Sequence, residues 1–353
     1  MPDPTFSQRL FRILSRITFA LTFLVILAGS VVRVTQSGMG CPDWPKCFGY
    51  LIPPTEKYQV EFHPDHNYRE GVMILANDTL WRATGNFTSN ESFDRNNWEK
   101  YPRHNYAVFI PYQTWIEYIN RLLGAVLGIL VFGMLITSFS FRKVAPRLIS
   151  LSFVLLILTG FQGWLGALVV SSNLAPVKIT IHMLAALLLL AVVQLILHRL
   201  NYDEKDQKSG KTDRIILPLT LIALTFTIIQ VITGTQVREE IDVISRTLNH
   251  SQRELWIDSL SNIFVLHRSF SLLVLAINAA LVYKIFQNGN GKSVRFAVLA
   301  GLLLIGEVIV GVALSFFDVP AIAQPIHLLL ASMLFAAQFG VLLNVKKDLR
   351  FSI

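Results

Sequence analysis

Eight stretches of this chain are each long and apolar enough to cross a bilayer, which takes about 20 helical residues. They fall at roughly 12–33, 114–139, 148–171, 177–198, 214–236, 260–285, 294–314 and 321–344. Lipid offers backbone groups no hydrogen-bond partner, so runs of this length must be helices that satisfy their own N–H and C=O groups. Composition agrees: only 15% of the residues are charged, against about 25% in soluble domains. The sequence therefore predicts an all-α polytopic membrane protein with eight transmembrane helices. The first apolar run is too long for a cleaved leader and lacks a small-residue cleavage site, so it is expected to remain as a helix.

The net charge of +8 does not point to nucleic acid, because the basic residues gather in short connections between apolar segments. Arg9, Arg12 and Arg16 precede or open the first segment; Arg142, Lys143 and Arg147, then Lys205, Lys208 and Lys211, then Lys284, Lys292 and Arg295, and finally Lys346, Lys347 and Arg350 follow on the same side. The positive-inside rule then puts both termini in the cytoplasm, for a bacterium in its plasma membrane. The opposite loops are 34–113, 172–176, 237–259 and 315–320. The long loop 34–113 has no clear period and reads as a small cap outside the membrane. Asn77, Asn86 and Asn90 open glycosylation sequons there, short patterns that also arise by chance.

The chain carries an internal repeat. Gly166 and His182 match Gly311 and His327 at an offset of 145, which also sets Gln162 opposite Glu307. Asn120-Arg121 matches His267-Arg268 at 147, and Gly29-Ser-Val-Val-Arg33 resembles Gly234-Thr-Gln-Val-Arg238 at 205. This predicts two tandem four-helix bundles in parallel orientation. The first is residues 1–199 with the large loop 34–113, and the second is residues 200–353.

Segments two, four, six and eight each carry one special position near one end: Asn120, His182, His267 and His327. A bilayer tolerates an ionisable side chain mainly when it has a partner or a task. Two facing imidazoles in an apolar bundle suit the axial positions of a b-type heme. The plainer reading, a histidine bonded to a backbone carbonyl, fits one such residue better than three at matched positions. Arg121, Arg268, Arg33 and Arg238 are placed to pair with heme propionates or to reach the headgroups. Glu117 precedes Asn120 by three residues on one helix face, and its repeat counterpart is Phe264. That asymmetry suggests a reactive first half with Glu117, Asn120 and His182, and a redox holding site in the second half with His267 and His327. Just outside segment one, Cys41 and Cys47 are close enough for a disulfide, either a structural clip or a redox-active pair.

The run from Thr35 through Cys41-Pro-Asp-Trp-Pro-Lys-Cys47, the Glu117-Tyr-Ile-Asn-Arg121 segment and the contexts of His182, His267 and His327 resemble the heme A synthase family across all eight segments. The resemblance implies oxidation of the C8 methyl of heme O to a formyl group, giving heme A for cytochrome c oxidase. It implies a heme b cofactor in the C-terminal half, with heme O as substrate in the N-terminal half. It carries the family's catalytic glutamate to Glu117 and its paired loop cysteines to Cys41 and Cys47. Where the family has a first-half histidine, this chain has Asn120. That leaves His182 as the first-half ligand, with the other face open or held by Asn120. Expected partners are the lipid bilayer, heme O handed over by a heme O synthase, and an unidentified electron acceptor; self-association stays open. An electron-transferring b-type cytochrome subunit and a quinone-linked thiol oxidase are the rival functions.

Overall fold

The computed structural model describes residues 5–102, 108–172, 176–200, 214–289 and 291–350. The basic connection with Lys205, Lys208 and Lys211 lies outside them. Among the described residues, eight helices are long and apolar enough to cross a membrane. They are α1 (Phe6–Val34), α2 (Pro111–Ser138), α3 (Arg147–Ser171), α4 (Pro176–Leu200), α5 (Ile216–Thr247), α6 (Asn262–Asn288), α7 (Gly291–Phe316) and α8 (Ala323–Arg350). The chain is thus an all-α, polytopic integral membrane protein.

Local chemistry sets the helix starts. Thr5 and Gln8 bond each other's backbone N–H groups at 3.3 and 3.1 Å, a reciprocal box that opens α1. Proline opens α2 and α4, where its missing N–H costs no helical bond. The Ser261 hydroxyl accepts the Ile263 N–H at the start of α6. Several buried hydroxyls are satisfied within their own helices: Ser15 donates to the Phe11 carbonyl, Ser152 to Leu148 and Thr220 to Ile216.

The apolar run that predicts α5 stops at residue 236, but the helix continues to Thr247. Val237 and Ile241 repeat at helical spacing and are buried with Trp256 and Val319, while Arg238 pairs with Asp242 at i,i+4. The stripe holds the extension in place, so much of the loop expected at 237–259 is helical.

The chain forms two compact units. The larger comprises residues 1–27, 127–160 and 180–353. Its main core joins Phe11, Met134, Leu155, Leu190, Leu224 and Phe335, one from each of α1, α2, α3, α4, α5 and α8. Within this unit α5 packs on α6 and α8, and α7 packs on the same two helices, closing a ring of four. Helices α6 and α8 therefore stand diagonally across that ring. With little hydrophobic drive between helices in lipid, close packing matters. Gly340 of α8 shows it: a Cβ there would meet the Phe296 ring of α7 at 2.5 Å.

The smaller unit comprises residues 28–126 and 161–179. The described residues of the loop expected as a cap contain β structure. Strands β1 (Asn67–Tyr68) and β4 (Phe87–Thr88) pair; β2 (Met73–Ala76), β3 (Thr79–Ala83) and β5 (Trp98–Lys100) form a second antiparallel sheet. Asn77 and Asp78 join β2 to β3, both with positive φ, the backbone a two-residue primed hairpin requires. Tyr68, Ile74 and Trp98 form the aromatic-rich core of this cap.

Candidate functional site

The four special positions lie within the first three turns of their helices: Asn120 on α2, His182 on α4, His267 on α6 and His327 on α8. At 1.5 Å per residue that is roughly 6–14 Å from each helix start. Glu117, Asn120 and Arg121 belong to the smaller unit; His182, His267 and His327 belong to the larger.

In the larger unit, His267 and His327 extend from the diagonal helices of the ring and lie within electrostatic reach of each other. The Thr233 hydroxyl sits 3.0 Å from His267 Nδ1 and donates to the Gln230 carbonyl at 3.1 Å. With its proton so used, its oxygen can accept an Nδ1–H, while the Gln230 amide nitrogen lies 3.4 Å from His267 Nε2. Gln230 donates to the His267 carbonyl at 3.0 Å and pins the same turn. His327 Nδ1 lies 2.9 Å from Glu307 Oε2 on α7. The ring nitrogen is not aligned on that oxygen for a hydrogen bond. Packing of α7 on α8 keeps the two groups together. Glycines make room for both rings: a Cβ at Gly234 would stand 3.0 Å from His267 Cε1, and one at Gly311 would stand 3.6 Å from His327 Cε1.

These residues fit a heme. Two imidazoles extend from the diagonal helices of a four-helix ring, each with Nδ1 beside an oxygen; Nε2 of His267 would face iron once the Gln230 amide beside it turns away. Of the arginines expected near propionates, Arg238 is held by the Gln324 side chain and by Asp242 at 2.7 Å. Arg268 is exposed and lies over the Phe264 ring at 5.6 Å.

In the smaller unit, Glu117 is almost wholly buried and ion-paired with Arg121 one turn on. Its other oxygen accepts the Cys41 N–H at 2.8 Å. Arg121 also donates to the carbonyls of Cys41 at 2.9 Å, Asp43 at 2.6 Å and Lys46 at 3.1 Å. The guanidinium is thus a clasp around the loop closed by the Cys41–Cys47 disulfide. Thr114 fastens the same loop by donating to the Gly40 carbonyl at 2.8 Å, where a Cβ would strike Gln113 backbone at 2.6 Å. Burial pushes the Asp43 carboxyl above its ordinary value, against the N–H of Gly49 and the charge of Arg121, which pull it down. Asn120 turns its amide oxygen toward Gly29 of α1; that oxygen is buried without a hydrogen-bond partner among the described residues. Arg33 ends α1. His182 is half-buried on α4, two residues from Thr180, whose hydroxyl is 2.9 Å from that of Thr235.

Sequence reasoning did not list Gln230, Thr233 or Glu307 among the site residues. Glu307 had a signal, as the lone acid of an apolar segment and the repeat partner of Gln162. Thr233 had none, because a hydroxyl on a membrane helix usually bonds its own turn.

The architecture and these side chains define a class: a membrane protein with eight apolar helices among its described residues and histidines set near the starts of α4, α6 and α8. Comparison narrows it. Residues 12–78 and 88–339 match COX15-CtaA, described as cytochrome oxidase assembly protein, and the chain belongs to that family, which includes the heme A synthases. It is 25% identical to the heme A synthase of Shewanella oneidensis over 332 residues, covering 87% of this chain and 86% of that protein. The heme A synthase of Rickettsia prowazekii is 23% identical over 345 residues, covering 90% and 92%. That of Flavobacterium johnsoniae is 24% identical over 364 residues, covering 93% and 95%.

Proposed function

We propose that this chain is a heme A synthase, an oxidoreductase that converts the C8 methyl of heme O to a formyl group for cytochrome c oxidase. The observation that carries the reading is the family match, which runs through both the glutamate segment and the two C-terminal histidines. The chain works as two tandem four-helix halves, 1–199 for the substrate and 200–353 for a resident heme b. The closed ring of α5 to α8 supports the second of these.

Heme b at His267 and His327 supplies one-electron exchange. The residues around it position and exclude: Thr233 fixes the tautomer of His267, and Gly234 and Gly311 let both rings approach. His182 is the candidate ligand for the iron of heme O, and Asn120 stands at the sequence position of the family histidine. The buried amide oxygen of Asn120 stands where the family has an imidazole and would be a weaker ligand for iron than that imidazole. Glu117 acts as the catalytic carboxylate. Paired with Arg121 and fixed by the Cys41 N–H, it is suited to stabilise positive charge developing at the methyl carbon. Arg268 has a guanidinium to offer a propionate, whereas Arg121 and Arg238 hold their own surroundings in the form described. The disulfide serves as a clip for the Glu117 clasp. Basic connections support cytoplasmic termini and an outside cap in a bacterial plasma membrane. Heme O arrives from a heme O synthase, and electrons leave to a separate acceptor.

The test is expression in a host that makes heme O but no heme A, with extracted hemes separated by chromatography and mass detection. A heme A peak above the empty-vector control is the expected result. Bound heme b with no conversion of heme O, even with candidate redox partners added, would favour an electron-transferring cytochrome instead.

A further inference from the structure

The two C-terminal imidazoles are supported by groups of different charge. His267 leans on a neutral hydroxyl, Thr233, whose own proton goes to the Gln230 carbonyl. His327 leans on a carboxylate, Glu307. No other acid lies in the apolar run of α7, and Glu307 continues the stripe by which Ala300, Leu303 and Leu304 are buried. Its second oxygen, Oε1, is buried without a partner among the described residues. A carboxylate at this depth is costly and calls for a task. Among the described residues, the titratable side chain that meets it is His327, at 2.9 Å. In the first half the repeat position is Gln162, a neutral amide, so the anion belongs to the second half alone.

We propose that Glu307 is the positioning and tuning residue of the C-terminal heme: it orients His327 through Nδ1 and biases the iron toward its oxidised state, while Thr233 orients His267 without adding charge. The proposal rests on the reading that His267 and His327 ligate heme iron. A carboxylate on the far nitrogen of a ligating histidine fixes the ring and raises its basicity. A more basic ligand and a nearby negative charge both favour the more positive iron, which lowers the reduction potential. A hydroxyl acceptor fixes its ring in the same way but brings no net charge. The C-terminal heme then holds an electron weakly and releases it readily.

The experiment uses full-length protein purified with its native heme. Wild type, Glu307→Gln, Thr233→Val and His327→Ala are compared by absorption, by electron paramagnetic resonance of the oxidised state and by redox potentiometry. Glu307→Gln is expected to keep low-spin heme with a raised midpoint potential and a broadened resonance signal as the ring loses its anchor. Thr233→Val is expected to move the midpoint less. An unchanged midpoint in Glu307→Gln at full occupancy overturns the proposal, as does a larger shift in Thr233→Val. If Glu307→Gln does not retain heme, Glu307→Asp keeps the charge but withdraws it by one methylene. A midpoint displaced upward supports the proposal, and a wild-type midpoint overturns it. The underlying ligation reading fails separately: His327→Ala would then carry the wild-type heme spectrum.

Discussion

Glu117 and His267 both lie near the start of a membrane-spanning helix, but what holds each of them is of a different kind. Around Glu117 the contacts are ionic and reach across the sequence, from α2 to the disulfide loop at residues 41–47. Around His267 they are neutral and purely helical, a hydroxyl and an amide from one turn of α5 with a glycine beside them. A carboxylate that must keep one position in a catalytic centre needs several rigid donors. An imidazole that ligates a resident heme needs only its tautomer fixed and space to approach.

The contrast can be broken by substitution. The largest effect is expected at the imidazoles: His267→Ala or His327→Ala should abolish b-type absorbance in purified protein, while changes in the Glu117 clasp leave it intact. Next comes the clasp itself. Arg121→Ala leaves Glu117 buried without its cation, a loss of about 3–5 kcal/mol that lowers the melting temperature. Removing both charges together should restore part of that stability in a double-mutant cycle, whereas additive losses would show the pair to be uncoupled. The glycines offer a finer comparison. Gly234→Ala presses on His267 at 3.0 Å and should distort the heme spectrum, whereas Gly311→Ala meets His327 at an ordinary 3.6 Å and should change it little.

The smallest effect is a pH slope at Asp43. Burial raises its carboxyl pKa above the unfolded value, so the folded cap binds the proton more tightly than the unfolded chain does. Its contribution to stability is therefore largest at acid pH and falls as pH rises from the ordinary carboxylate range through the raised value. Asp43→Asn should flatten that slope in thermal melts taken across the range; an unaltered slope would remove Asp43 as its source.

How far the sequence led depends on which contacts each element uses. Long apolar runs are visible because a membrane helix buries little of itself inside the protein and must be greasy along its whole length. The extension of α5 was hidden because Arg238, Glu239, Glu240 and Asp242 interrupt the hydropathy, although Val237 and Ile241 keep the helical period. The cap sheets were hidden by strands of two to five residues, and Asn77-Asp78, a sequon by pattern, is a hairpin turn by conformation. In the site, the three histidines and Glu117 stood out as polar residues in apolar surroundings. Arg121 was visible at i,i+4 from Glu117, but its carbonyl partners belong to a loop some 75–80 residues earlier, a pairing no local spacing reveals.

The most direct measurement of the central claim, that one half reacts and the other holds, is the heme content of cells that make heme O but no heme A, carrying wild type or Glu117→Gln. Wild type should yield heme A. Glu117→Gln should lose at least about 100-fold of it, in the range for a lost catalytic carboxylate, while the purified variant keeps its full b-type spectrum. Undiminished heme A from Glu117→Gln, or loss of the b-type heme along with activity, would contradict that division of labour.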